Sequence, residues 1–127
     1  MKKYLLDANI ILRYIVAENT PLNLKSKYYF DLAQDNKYQL IIDNVVIAEV
    51  VWVLKSYYKF NRENLVNSLR IVISHKNILV DNKNLILETL DFFSSHNLSY
   101  IDCYLHCLSQ SKGIPLSTFD TKLSKIK

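Results

Sequence analysis

The chain has 127 residues, half of them hydrophobic, with 16 Lys and Arg against 12 Asp and Glu for a formal net charge of +4. That length suits one domain spanning residues 1–127 with a real core, and a single glycine and two prolines exclude a flexible linker, a collagen-like or low-complexity segment and a glycine-rich phosphate loop. The positive charge fits a polyanionic partner only loosely, because the basic residues are scattered along the chain and AT-rich coding would produce the same abundance of Asn, Lys, Ile and Tyr.

Tyr4, Leu5 and Leu6 form a short apolar run, as expected of a strand buried on both faces. Asp7 interrupts it, and Asn9 stands where an N-cap would, just before the apolar run from Ile10 to Val16. The pattern reads strand, acid, cap, helix, and in open α/β sheets the carboxyl ends of the strands are where ligands bind. Thr20-Pro21 then reads as N-cap and first helical residue of a helix to about Gln34. Tyr38 to Ile42 is a second strand, ended by Asp43-Asn44. The run from Val45 to Leu54 carries many β-branched residues, which favour a strand, but its length and the capping residues before it favour a helix buried nearly all round. Asn61 caps a helix from about Arg62 to Ile73, and Ile78 to Val80 is a third strand. Asp81 or Asn82 caps a helix ending near Ser95, and Ser99 opens one closed by Gly113. Ile114 to Thr118 is the expected fourth strand, followed directly by Phe119-Asp120. Strands alternating with helices indicate a mostly parallel sheet of four to five strands covered by helices, a three-layer α/β domain.

The first residues could open a signal peptide, but Asp7 and Asn9 break the apolar stretch and no small-residue cleavage site follows. The longest apolar run carries Glu49 and is too short to span a bilayer, so the expectation is a soluble, cytoplasmic protein without membrane contact.

Four acids stand out by position. Asp7 follows the first strand and Asp120 the last, and Asp102 lies in the first turn of its helix. Glu49 lies inside the most apolar segment, where an unpaired buried carboxylate would cost several kcal/mol or take up a proton. Ser99-x-x-Asp102 also matches a capping box, a role compatible with a second one. Carboxylates gathered at one sheet edge repel one another unless a divalent cation neutralises them. Mg²⁺ or Mn²⁺, as one or two ions, suits such an oxygen-only set and bridges readily to phosphate. Hydrolysis of a phosphodiester by a metal-activated water is the chemistry such a set supports.

Taken in order, LLDANI, IAEVVWVL, YIDCYLHC and LSTFD resemble the PIN-domain family, and within it the VapC-like toxins of type II toxin–antitoxin pairs. The resemblance covers nearly the whole chain. It implies a Mg²⁺-dependent endoribonuclease on a central parallel sheet, acting on RNA and held inactive by a small antitoxin. By resemblance Asp7, Glu49, Asp102 and Asp120 take the acidic metal-site positions, with Asn9 and Thr118 as polar residues that orient carboxylates or waters. It also implies a homodimer. The chain stops at Lys127, where relatives continue into a fifth edge strand, so that strand is expected to be short or missing. A PIN nuclease working in RNA processing without an antitoxin, or a catalytically silent PIN binding module, are the competing readings.

Cys103, His106 and Cys107 share one helical face at a spacing that zinc could use, but a fourth ligand is not evident and packing is the preferred reading. The tyrosines and Trp52 recur mostly at core-like spacing and are likewise read as packing. Arg13, Lys55, Lys59 and Lys122 are the basic residues nearest the acids in the chain and could hold RNA phosphates.

Overall fold

The structure is a computed structural model that describes residues 1–16 and 20–126. Its elements run β1 (Lys2–Leu5), α1 (Ala8–Ile15), α2 (Pro21–Gln34), β2 (Tyr38–Ile42), α3 (Asn44–Ser56), α4 (Arg62–Ile73), β3 (Ile78–Val80), α5 (Lys83–Ser95), α6 (Tyr100–Lys112) and α7 (Thr121–Ser124). They form two compact units, residues 1–81 and residues 82–127.

The first unit is a parallel sheet flanked by helices, with strand order β1-β2-β3. Lys2 pairs with Tyr38 and Leu5 with Ile41, while Leu40 pairs with Ile78 and Ile42 with Val80. Side chains alternate across a strand. Leu40, Ile42, Ile78 and Val80 therefore share one face, which is buried. On that side α2 packs against β2, bringing Phe30 and Ala33 into the core, and Tyr14 of α1 stacks on Phe30 with centroids 3.9 Å apart. The other face is more open: Leu5 is 72% exposed and Leu79 is 45% exposed. A first strand buried on both faces was expected. Instead β1 is an edge strand whose Leu5 side chain remains in solvent.

The amino ends of the strands are held by asparagines. Asn36 and Asn77 both take the left-handed conformation, which Asn tolerates better than most residues. The Asn77 amide donates to Asn36 Oδ1 at 2.9 Å and to the Ala33 carbonyl at 2.7 Å, and its own carbonyl accepts from Leu40 N–H. Register and strand start are thus set by side chains as well as by the ladder.

The expected helices form where capping chemistry places them, with two shifts. Asp7, not Asn9, is the N-cap of α1, its Oδ1 accepting the Ile10 N–H at 3.1 Å, and Asn9 is the second residue of the helix. Asn82 precedes α5 in a left-handed conformation and makes no side-chain cap bond. The Val45 to Leu54 run is helical, with Asp43 as cap, but it is not buried all round. Ile47, Val50, Val51 and Leu54 are buried at helical spacing, whereas Val45 and Trp52 on the other side are 76% and 68% exposed.

The second unit packs α5 against α6 around Leu85, Ile86, Leu90, Phe93, Cys103 and Cys107. Gly113 ends α6 at φ +64°, the left-handed closing turn that favours glycine. The fourth strand does not form: residues 114–118 carry no ladder bonds among the described residues. Gly113 N–H and Ile114 N–H are taken by the last carbonyls of α6, and Pro115 has no N–H to offer a ladder. The sheet therefore has three strands, not four or five, among the described residues.

Asn23 joins α1 to α2. Its buried amide donates to the carbonyls of Arg13 and Val16, which α1 leaves unpaired at its end, and its oxygen accepts from the Thr20 hydroxyl. Asn23→Ala strands these groups inside the protein. It is expected to lower unfolding free energy by about 1–3 kcal/mol, against less than about 0.5 kcal/mol for the exposed neighbour change Leu22→Ala, measured by urea denaturation followed by circular dichroism.

Candidate functional site

The carboxyl ends of the three strands each deliver an acid. Two residues beyond the Leu5–Ile41–Leu79 row of the ladder stand Asp7, Asp43 and Asp81, all exposed. Parallel strands 4.7–4.9 Å apart in matched register make that row unavoidable. Two of the three are helix caps: Asp7 for α1, and Asp43 for α3, where Oδ1 accepts the Val45 N–H at 2.9 Å. A cap uses one carboxylate oxygen and leaves the other free. Asp43 and Asp81 were legible in the sequence as caps or turn residues, but not as lying at the same end of the sheet as Asp7, because register is not visible along one chain.

Glu49 lies one and a half turns into α3, the helix against which α1 packs. The expectation that it is buried is not met. It lies between Val45 and Trp52 on the exposed side of α3, and its carboxylate has no hydrogen bond or ion pair among the described residues. The segment around it is apolar because the opposite side of the helix builds the core, not because Glu49 is enclosed.

Asp102 and Asp120 belong to the second unit. Asp102 is half-buried at the third position of α6, and its N–H donates to Ser99 Oγ at 3.1 Å. The reciprocal half of a capping box, a carboxylate bond back to Ser99 N–H, does not form, so the Asp102 carboxylate is free of protein partners among the described residues. Asp120 caps α7, a helix the sequence did not announce. Its Oδ1 accepts from Lys122 N–H at 2.9 Å and Leu123 N–H at 3.1 Å. Its own N–H donates to Thr118 Oγ1 at 3.0 Å, so the Thr118 hydroxyl holds the Asp120 backbone. Asn9 is exposed on the first turn of α1.

The donor set suits a hard divalent cation: it is all oxygen, and each of the four acids keeps at least one carboxylate oxygen free. Among the described residues no three His, Cys, Asp or Glu side chains stand close enough together to hold a metal ion. That holds for Asp7, Glu49, Asp102 and Asp120 as it does for Cys103, His106 and Cys107, which share the α5–α6 packing. His106 stacks on Phe92, with centroids 4.6 Å apart, and burial pushes the Cys107 thiol up. Of the basic residues, Arg13 turns to Asn23 at 3.5 Å, whereas Lys55, Lys59 and Lys122 are exposed.

With this architecture in place, the comparison with known proteins defines the class: the chain belongs to the PIN domain family, whose model matches residues 4–127. Among individual proteins it is similar to a VapC ribonuclease of Aquifex aeolicus, 24% identical over 110 residues that cover 87% of this chain and 81% of that protein. No solved structure matches it significantly.

Two predictions follow from the geometry. Because Glu49 is exposed and unpaired, Glu49→Gln is expected to change unfolding free energy in EDTA by no more than about 0.5 kcal/mol; differential scanning calorimetry showing a large stabilisation would return Glu49 to a buried, repulsive setting. His106, 8% exposed, is held below its ordinary range by burial first and by the nearby His96, against an opposing pull from Glu88. A histidine pKa lowered on folding means the unfolded chain binds the proton more readily. Stability should therefore fall as pH drops from about 6.5, the ordinary histidine value, toward the lowered one. His106→Gln should flatten that part of the stability–pH curve, measured by urea unfolding across pH.

Proposed function

We propose that this PIN domain is a Mg²⁺-dependent endoribonuclease of the VapC-like kind, with Mn²⁺ able to replace Mg²⁺. Asp7, Glu49, Asp102 and Asp120 are its metal ligands, direct or through water, for one or two ions. What supports this reading is that the four acids, matched to the metal positions by resemblance, each keep a carboxylate oxygen without a protein partner among the described residues. The similarity to a protein named VapC ribonuclease supports RNA as substrate and a small antitoxin as partner. The protein acts in the cytoplasm, as a homodimer.

When bound, the cation supplies a polarised water and neutralises charge on the cleaved phosphodiester. The chain's own residues do the positioning. Helix caps hold Asp7 and Asp120 at fixed φ and ψ, and the Thr118 hydroxyl fixes the backbone that carries Asp120. Asn9, exposed two residues after the Asp7 cap, would orient a carboxylate or a water.

Asp7→Asn separates chemistry from folding, because Asn caps a helix as well as Asp does. The parent protein is expected to cleave single-stranded RNA with Mg²⁺, to stop in EDTA, and to leave 5′-phosphate and 3′-hydroxyl ends. Asp7→Asn should melt within a few degrees of the parent yet cleave at least about 100-fold more slowly. Expressed alone in a bacterium, only the parent should arrest growth. Cleavage that survives EDTA, or 2′,3′-cyclic phosphate products, would overturn the mechanism.

A further inference from the structure

The amino end of the sheet in the first unit, opposite the row of acids, carries an aromatic cluster that the nuclease reading does not use. Tyr4 of β1, Tyr29 of α2 and Tyr38 of β2 meet with centroids 5.3, 4.6 and 5.8 Å apart. Their planes cross at 79°, 49° and 46°, so none of the three pairings is a parallel stack. Tyr28 stands beside them and is 55% exposed, while the other three rings are half-buried. The ladder sets Lys2 directly across from Tyr38, and Lys2 N–H donates to the Lys37 carbonyl at 3.1 Å, so two exposed lysines flank the rings. The acids of the adjoining helix do not quench this charge one for one: Asp31 is paired with Lys27 at 2.9 Å, leaving Asp35 at the end of α2.

Four phenols at a surface are an uneconomical way to close a core, since Leu or Phe would bury as well without a hydroxyl to satisfy. Here the Tyr38 hydroxyl is served by Tyr4. The Tyr38 phenol is pushed up to about 12 by its hydrogen bond with Tyr4, then by burial and by the neighbouring tyrosines, and no carboxylate contributes. The three packed rings stand together beside positive charge. Aromatic faces next to lysines on a rigid strand end are what recognises a single strand of nucleic acid: bases stack on the rings and phosphates meet the ammonium groups.

We propose that this cluster is a binding surface for single-stranded RNA, distinct from the carboxylate end of the same sheet, that holds substrate while it is cut elsewhere on the protein. The proposal rests on the ribonuclease reading for its choice of ligand and not for its geometry. It makes the surface a determinant of substrate affinity, not of the chemical step.

The test uses the full chain and a fluorescein-labelled oligouridylate of about 12 nucleotides, with anisotropy read in EDTA so that no cleavage intervenes. Tyr28→Ala, a change at an exposed position, is expected to weaken binding about fivefold or more. Lys2→Gln with Lys37→Gln should lower the slope of log affinity against log salt by roughly 0.7 per lysine, whereas Lys112→Gln with Lys125→Gln should leave it in place. An oligonucleotide carrying 5-iodouridine should crosslink on irradiation to a tyrosine of the cluster, located by mass spectrometry. In Mg²⁺, Tyr28→Ala should raise KM with kcat unchanged. The proposal is overturned if Tyr28→Ala binds like the parent, if inorganic polyphosphate of equal charge displaces the RNA equally well, or if the crosslinks fall only outside the cluster. RNA held by the tyrosines but left uncut in Mg²⁺ would sink the nuclease reading alone; cutting without loss in Tyr28→Ala binding would sink this one alone.

Discussion

Everything in the first unit depends on the parallel register of β1, β2 and β3. A parallel ladder sends every strand out of the sheet on the same side, so the residues that start the following segments gather at one edge. With Leu5, Ile41 and Leu79 in line, Asp7, Asp43 and Asp81 must follow in line as well. The same register places Lys2 beside Tyr38 at the opposite end. One end of the sheet is therefore acidic and the other aromatic and basic, and no side-chain contact is needed to explain the division.

A carboxylate can serve folding and still keep an oxygen free. An N-cap needs one oxygen of a carboxylate, and the geometry of Asp7 and Asp120 leaves the second oxygen uncommitted. Glu49 reaches the same condition by another route, on the solvent side of a helix whose opposite side is core. In each case the local structure would persist with the amide in place of the acid, which is why charge and fold can be separated by substitution.

The α5–α6 pair shows how ligand-like spacing can serve packing. Cys103, His106 and Cys107 lie one helical turn apart, as metal ligands would, yet the turn that aligns them faces α5. There Phe92 stacks with both His96 and His106, at 3.7 and 4.6 Å between centroids, and the thiols fill the apolar interface. Burial there lowers the proton affinity of the His106 imidazole.

Caps, proline at N1 and glycine at C′ are local signals, and they placed most helices to within two residues: α2, α4 and α6 begin at the residues after Thr20, Asn61 and Ser99. The family was equally legible, because the order LLDANI, IAEVVWVL, YIDCYLHC and LSTFD survives in linear sequence. What a sequence cannot carry is which side of an element meets which neighbour. Glu49 looked buried because apolar density along a chain does not say which face of α3 turns inward. Leu5 looked buried because strand order, and hence edge position, is set by pairing between distant segments. Residues 114–118 looked like a strand because propensity is local, whereas a strand exists only if a partner ladder accepts it. Tyr4, Tyr29 and Tyr38, scattered in the chain, became a cluster for the same reason: only the register of β1 on β2, with α2 across it, brings their rings together.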